Sequence, residues 1–169
     1  SRKSRKKIEL IDSDRGGKIT HHGPGQVVVY LLLDLRRLGV GVRKLVAQME
    51  QTIIDLLREY KIDANTEKGA PGVYVSGAKV AAIGIRVRKG CSYHGFSLNV
   101  DMDLAPFKLI NPCGYPDLQV TQLKDLGISV SVVQIRQQLI ECLARTFHYR
   151  GVQYTEMSDT QLEKLSVAL

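Results

Sequence analysis

From Val42 to Tyr60 the apolar residues fall at Val42, Leu45, Val46, Met49, Ile53, Leu56, Leu57 and Tyr60. That spacing of three and four predicts an amphipathic helix with one face on a core. Ser131-Val132-Val133-Gln134 reads as a capping box that opens a second helix, its apolar positions being Val132, Ile135, Leu139, Cys142, Leu143 and Phe147. Elsewhere the pattern breaks into short runs. Val27 to Leu33 is continuous, apolar and rich in β-branched residues, which predicts a buried strand. Val73 to Val75 and Val80 to Val87 predict two strands around a Ser76-Gly77 turn, and His94 to Val100 a further strand after Lys89-Gly90. Asn65 to Gly72 reads as a turn-rich connection, Asp103 to Ile110 as holding a short helix after Pro106, and Val152 to Tyr154 as a last strand. Asn111 to Pro116 reads as a loop, punctuated by Pro112, Gly114 and Pro116. The short apolar run Ile8 to Ile11 leads into the polar Asp12-Ser13-Asp14. Helices and strands interleave, yet hairpin turns are present. The expected fold is therefore α/β of the mixed, α+β kind: a mixed sheet flanked by helices, not a strictly doubly wound one.

The chain has 169 residues, 44% of them hydrophobic and 24% charged, the size and composition of one globular domain. No run of 18 apolar residues predicts a membrane span, and no apolar stretch after the basic start predicts a signal peptide. Residues 1–7 hold five of the basic residues behind the net charge of +7. They read as a basic arm ahead of a single domain over 8–169. Further basic clusters at Arg36–Arg37, Arg43–Lys44 and Arg86–Arg88–Lys89 suit an acidic protein partner. With 6% aromatics and no tryptophan, a base-stacking nucleic-acid surface is disfavoured. Three cysteines, Cys91, Cys113 and Cys142, without a C-x-x-C pair point to free thiols in a reducing cytoplasm.

Three segments carry candidate chemistry. Arg15-Gly16-Gly17-Lys18-Ile19-Thr20-His21-His22-Gly23-Pro24-Gly25-Gln26 is glycine-rich, able to bring backbone N–H groups close to a ligand, and does not match a phosphate-binding P-loop. In the second, Lys79 heads the apolar run Val80-Ala81-Ala82-Ile83-Gly84. A lysine there either snorkels at a strand end or, next to a thiol, stabilises the thiolate. In the third, Ile110-Asn111-Pro112-Cys113-Gly114-Tyr115, a cysteine lies between proline and glycine on a sharp loop instead of a periodic core face. A free thiol is only a few per cent ionised at neutral pH, so a nucleophilic Cys113 needs an activating group. On the residues alone that group is Lys79, His22 or His94. His21 and His22 are adjacent and poorly disposed to share one ion, so no metal and no cofactor is expected.

These segments, together with His94-Gly95-Phe96-Ser97-Leu98-Asn99, resemble in identity and order the motifs of the lipoyl(octanoyl) transferase family. The resemblance is strong over roughly residues 8–115. It implies the catalytic-domain fold shared by biotin- and lipoate-protein ligases, and transfer of an octanoyl (or lipoyl) group from acyl carrier protein to a lysine. The acceptors it implies are lipoyl domains of 2-oxoacid dehydrogenase complexes and the glycine cleavage H protein. Carried over, Cys113 forms the acyl-thioester and Lys79 lowers its pKa. Arg15, Gly16, Gly17, Lys18, Ile19, Thr20, His21 and His22, then Ala82, Ile83 and Gly84, then Gly95, Phe96 and Ser97 line the acyl site. An apolar tunnel is expected between Val80–Ile85 and Val27–Leu33. The chain departs from the family in reaching the Arg-Gly-Gly loop by residue 15, and in having His21 where tyrosine is common. The rival readings are an ATP-dependent lipoate- or biotin-type ligase, a cysteine hydrolase and a basic binding domain. A nucleophilic cysteine separates the first from a transferase.

Overall fold

The structure, a computed structural model, describes residues 8–110 and 118–156. The basic arm, residues 1–7, and the loop 111–117 that carries Cys113 lie outside the described residues. Five strands form one sheet: β1 (Gln26–Tyr30), β2 (Asn65–Glu67), β3 (Ala70–Val75), β4 (Ala78–Arg88) and β5 (Cys91–Asn99). Their order is β1-β5-β4-β3-β2 and all neighbours are antiparallel. A parallel bridge from Lys79 to Val120 makes the sheet mixed. It forms where β5 has ended: Lys79 N donates to Gln119 O at 2.8 Å and Thr121 N to Lys79 O at 2.9 Å.

Among the described residues three α-helices accompany the sheet: α1 (Leu35–Leu38), α2 (Val42–Glu59) and α3 (Val132–Thr146). α2 buries Leu45, Met49, Ile53, Leu56 and Leu57, each residue contributing roughly 1.5–3 kcal/mol by leaving water. α3 adds Ile135, Leu139 and Cys142. Its capping box is formed, with Ser131 Oγ accepting from Gln134 N and the Gln134 side chain accepting from Ser131 N. The two helices pack on each other and on one sheet face. There the cross-strand row Val73–Ala81–Leu98–Val27 is fully or almost fully buried.

Four expectations need correction. The Val27 to Leu33 run is not a buried strand. The regular strand is Gln26–Tyr30, with Leu31 N and Leu33 O still bonded to β5, and at the edge of the described sheet the run leaves Val28, Tyr30 and Leu32 exposed. Asn65 to Gly72 is largely strand, since β2 and the start of β3 meet around a Lys68-Gly69 turn. The expected helix over Asp103 to Ile110 is a 3-10 turn, Ala105–Leu109, with Pro106 in its first turn. Val152 to Tyr154 forms no strand and is exposed.

Candidate active site

A β-bulge decides where Lys79 points. Val73 pairs with Ala81, yet Tyr74 pairs with Lys79, so Val80 is the extra residue on β4. Strand side chains alternate between faces, and without the bulge Lys79 would share the helix-covered face with Ala81. The bulge re-aims it to the opposite face, in line with Tyr74, Gly72 and Ala82. There it is only 3% exposed, with Nζ donating to Pro71 O at 3.2 Å and lying 5.0 Å from the Tyr74 ring centroid. Gly72 makes the space: a Cβ at that position would lie 3.4 Å from Nζ and 2.5 Å from Ala81 O.

The same face is hollow because its residues are small. One cross-strand row is Gly72–Ala82–Ser97–Val28 and the next is Gly84–Gly95–Tyr30. All of these but Gly72 form the floor of a cleft of about 730 Å³, roofed by the segment 8–22, large enough for a small-molecule or acyl ligand. The roof rests on bare backbone. A Cβ at Gly84 would be 2.7 Å from Gly16 O, and one at Gly16 would be 2.6 Å from Ile85 O. Arg15 holds the roof's own turn through the carbonyls of Gly16 and Lys18.

Asp14 pins this roof to the sheet. Its carboxylate accepts from His94 Nε2 at 2.9 Å and from Tyr93 OH at 2.7 Å, and its carbonyl accepts from Arg86. The His94 hydrogen bond, then that of Tyr93, hold the Asp14 carboxyl below its ordinary value. A depressed carboxylate stabilises the fold above its unfolded pKa, and that stabilisation is lost as pH falls through the lowered folded value. The stability difference between wild type and Asp14→Asn in urea melts is therefore expected to be steady above about pH 5 and to shrink below about pH 4. A difference independent of pH would show that the Asp14 charge does not fasten the roof.

A polar relay runs beside the cleft, on the same sheet face, one row from Val28–Ser97. His22 Nδ1 is 2.8 Å from Gln26 Oε1, Gln26 Nε2 donates to Asn99 Oδ1 at 2.8 Å, and Asn99 Nδ2 donates to Thr121 O at 2.9 Å. Thr121 in turn bonds the main chain of Lys79. Asn99 is buried.

Of the expected site residues, Arg15, Gly17, Lys18, Ile19, Thr20, His21 and His22 border the cleft with Ala82, Ile83, Gly84, Gly95, Phe96 and Ser97. Gly16 packs under the roof against β4. Lys79 is not a wall of the cleft; it lies on the same face, one row beyond Ala82. Cys113 lies outside the described residues. The wall is narrower than the expected tunnel, because Val80 and Val27 face the core. Of the candidate activating histidines, His94 is bonded to Asp14 and His22 to Gln26. His21 packs edge-on against Phe107, and burial pushes its pKa down. Asp14 was not singled out from sequence, and Gln26 and Asn99 stood in the motifs without a role. Their neighbours are up to 80 residues away, and no local period signals them. Among the described residues no group of three His, Cys, Asp or Glu side chains is gathered to hold a metal, and no helix is long and apolar enough to cross a membrane.

Residues 2–144 match the lipoyl protein ligase A/B catalytic domain family. An octanoyltransferase of Thiobacillus denitrificans is 57% identical over 83% of this chain and 65% of its own length. One from Dechloromonas aromatica is 60% identical over 80% of this chain and 66% of its own length. The chain thus spans just under two thirds of these relatives. In fold it is similar to a lipoate-protein ligase A bound with ATP, with a TM-score of 0.68 and 20% identity over 90% of this chain and 65% of that one. It is also similar to the biotin protein ligase of Aquifex aeolicus, with a TM-score of 0.60 and 16% identity over 73% of this chain and 53% of that one. Sequence identity and fold together establish that the chain belongs to the lipoyl protein ligase A/B catalytic domain family, in which the curated relatives it matches are octanoyltransferases.

Proposed function

We propose that this chain is the catalytic domain of an octanoyltransferase. It moves an octanoyl group from acyl carrier protein to a lysine of lipoyl domains, in 2-oxoacid dehydrogenase complexes and in the glycine cleavage H protein, within the cytoplasm. The observation that carries this is the sheet face itself: a cleft floored by small residues, leading toward a lysine that a bulge has turned onto the same face. Successive rows on one face are about 6.6 Å apart. An extended octanoyl chain of roughly 9–10 Å, starting near Lys79, would cross the Ala82–Ser97 row and end before or at the Gly84–Gly95 row.

Cys113 is the proposed nucleophile. The chain leaving its loop is tied at Gln119 and Thr121 to the main chain of Lys79, and Gln119 is six positions after Cys113, a span of about 20 Å at most. The Lys79 ammonium stabilises the thiolate, which attacks the carrier thioester and displaces the carrier's thiol. In the second half-reaction the acceptor amine attacks the Cys113 thioester, and the same ammonium stabilises the departing thiolate. Backbone N–H groups of the glycine-rich roof are the candidate donors to the tetrahedral oxyanion. The donor thioester is already activated, so no nucleotide is needed. Octanoylation of a lipoyl domain by octanoyl-carrier protein is expected to proceed at the same rate with nucleotide removed and chelator added. A strict requirement for ATP would favour the ligase chemistry instead.

A further inference from the structure

Acyl transfer leaves one proton unassigned. The acceptor lysine arrives as an ammonium and attacks only as the neutral amine. From the direction of the relay beside the cleft, we infer that His22 accepts this proton through Nε2, and that Gln26 and Asn99 are positioning residues that hold His22 in the required tautomer. The inference rests on the proposed acyl transfer.

The direction is fixed from one end. A main-chain carbonyl only accepts, so the Asn99 atom 2.9 Å from Thr121 O is its amide nitrogen. Asn99 Oδ1 therefore faces Gln26 and takes a hydrogen from Gln26 Nε2. That turns Gln26 Oε1 toward His22, and an amide oxygen only accepts, so His22 Nδ1 carries the hydrogen. In the neutral ring the lone pair then sits on Nε2. His22 is exposed at the cleft rim, within reach of a protein-borne side chain, and its Nε2 has no hydrogen-bond partner among the described residues. The other two histidines at the cleft are less suited. His94 Nε2 donates to the Asp14 carboxylate, and His21 is packed against Phe107. The relay ends on the main chain of Lys79, so the strand that carries the thiolate partner also sets the histidine.

The step balances. The ammonium gives one proton to His22 Nε2, and the amine forms a C–N bond to the thioester carbonyl. The C–S bond breaks, and the second nitrogen proton reaches the departing thiolate. The products are the amide, the Cys113 thiol and the His22 imidazolium.

The test joins two readouts on the full chain. Two-bond 1H–15N correlation of 15N-histidine-labelled protein, at a pH where the ring is neutral, is expected to show His22 protonated at Nδ1 and bare at Nε2. Single-turnover acylation by octanoyl-carrier protein, then transfer to a lipoyl domain, gives the two half-reaction rates separately. Gln26→Met, which keeps side-chain length but removes the acceptor, is expected to lose the Nδ1–H tautomer. It should also lower the ratio of transfer to acylation rate by about tenfold or more. Gln26→Glu, which keeps an acceptor for Nδ1 but gives up the hydrogen donated to Asn99 Oδ1, is expected to retain the Nδ1–H tautomer. A wild-type His22 protonated at Nε2 overturns the inference without any variant, as does a Gln26→Met protein whose half-reactions slow alike. Absence of any acyl-enzyme in the wild type overturns the transfer reading itself, and the proton role of Nε2 with it, while leaving the tautomer measured.

Discussion

Lys79→Met is expected to slow both half-reactions, by roughly 100-fold or more, while the protein stays folded. Lys79 is buried with its ammonium at Pro71 O and over the Tyr74 ring. Methionine keeps the apolar stem that fills the space beside Gly72, and the lost hydrogen bond and cation–π contact amount to about 1–3 kcal/mol. The kinetic loss is larger because the Cys113 thiolate is the nucleophile in the first half-reaction and the leaving group in the second. Both roles weaken when its cationic partner is removed, and a thiol without one returns toward an ordinary pKa of about 8.5. The measurement is alkylation rate of the thiol against pH in wild type and Lys79→Met. A midpoint that stays put would transfer the activating role to His22 or His94 and leave Lys79 as a substrate-orienting or snorkelling side chain.

The lysine illustrates what the sequence shows and what it does not. Its place at the head of an apolar strand was legible, because the run Val80 to Val87 is unmistakably β. Its direction was not, since simple alternation puts Lys79 on the face of Ala81, and only the pairing of β3 with β4 reveals the bulge at Val80. The helices were legible for a related reason: the core positions of α2 and α3 repeat along one segment, and the Ser131 cap is a local signal. Asn65 to Gly72 was misread because Asn, Lys and Gly are poor strand formers. It pairs because β3 offers an edge, and the edge is not written in the segment itself. Val27 to Leu33 looked buried because apolar runs usually are, yet burial depends on position in the sheet, and among the described residues this strand lies at the edge. The glycine-rich roof and the Gly95 strand announced themselves as motifs. Asp14 is a single acid in a polar stretch, joined to β4 and β5 only by the fold.

Gly25→Ala is expected to be the most damaging of the glycine substitutions. Gly25 has φ +86°, and a Cβ there would fall 1.8 Å from Asp101 O and 2.9 Å from Met102 Cα. The left-handed backbone costs an alanine about 1–2 kcal/mol, and the collision with main chain adds to it, since backbone cannot swing aside as a side-chain tip can. Gly25 O also accepts from Val100 N and Asp101 N, so movement there unseats the end of β5. A total loss above roughly 3 kcal/mol is expected. Gly39→Ala is the control: its φ is +63°, but a Cβ there meets nothing within 4 Å, so it reports the conformational part alone. Urea melts of both variants separate the two contributions. Equal losses would mean that the Gly25–Asp101 approach is not a tight one. Gln26 follows Gly25 directly, so the same substitution is expected to disturb the His22–Gln26–Asn99 relay as well as stability.

The most direct test of acyl transfer through Cys113 is intact-mass analysis after incubation with octanoyl-carrier protein in the absence of acceptor, followed by peptide mapping. One octanoyl adduct is predicted, on Cys113, discharged when a lipoyl domain is added. The two other thiols are poor competitors. Cys142 is buried and its pKa is pushed up by that burial. Cys91 is exposed but pairs with Arg88, at the far end of β4 from Lys79 and about 30 Å along the strand. An adduct on Cys91 or Cys142, or turnover with no adduct on any cysteine, would contradict the assignment.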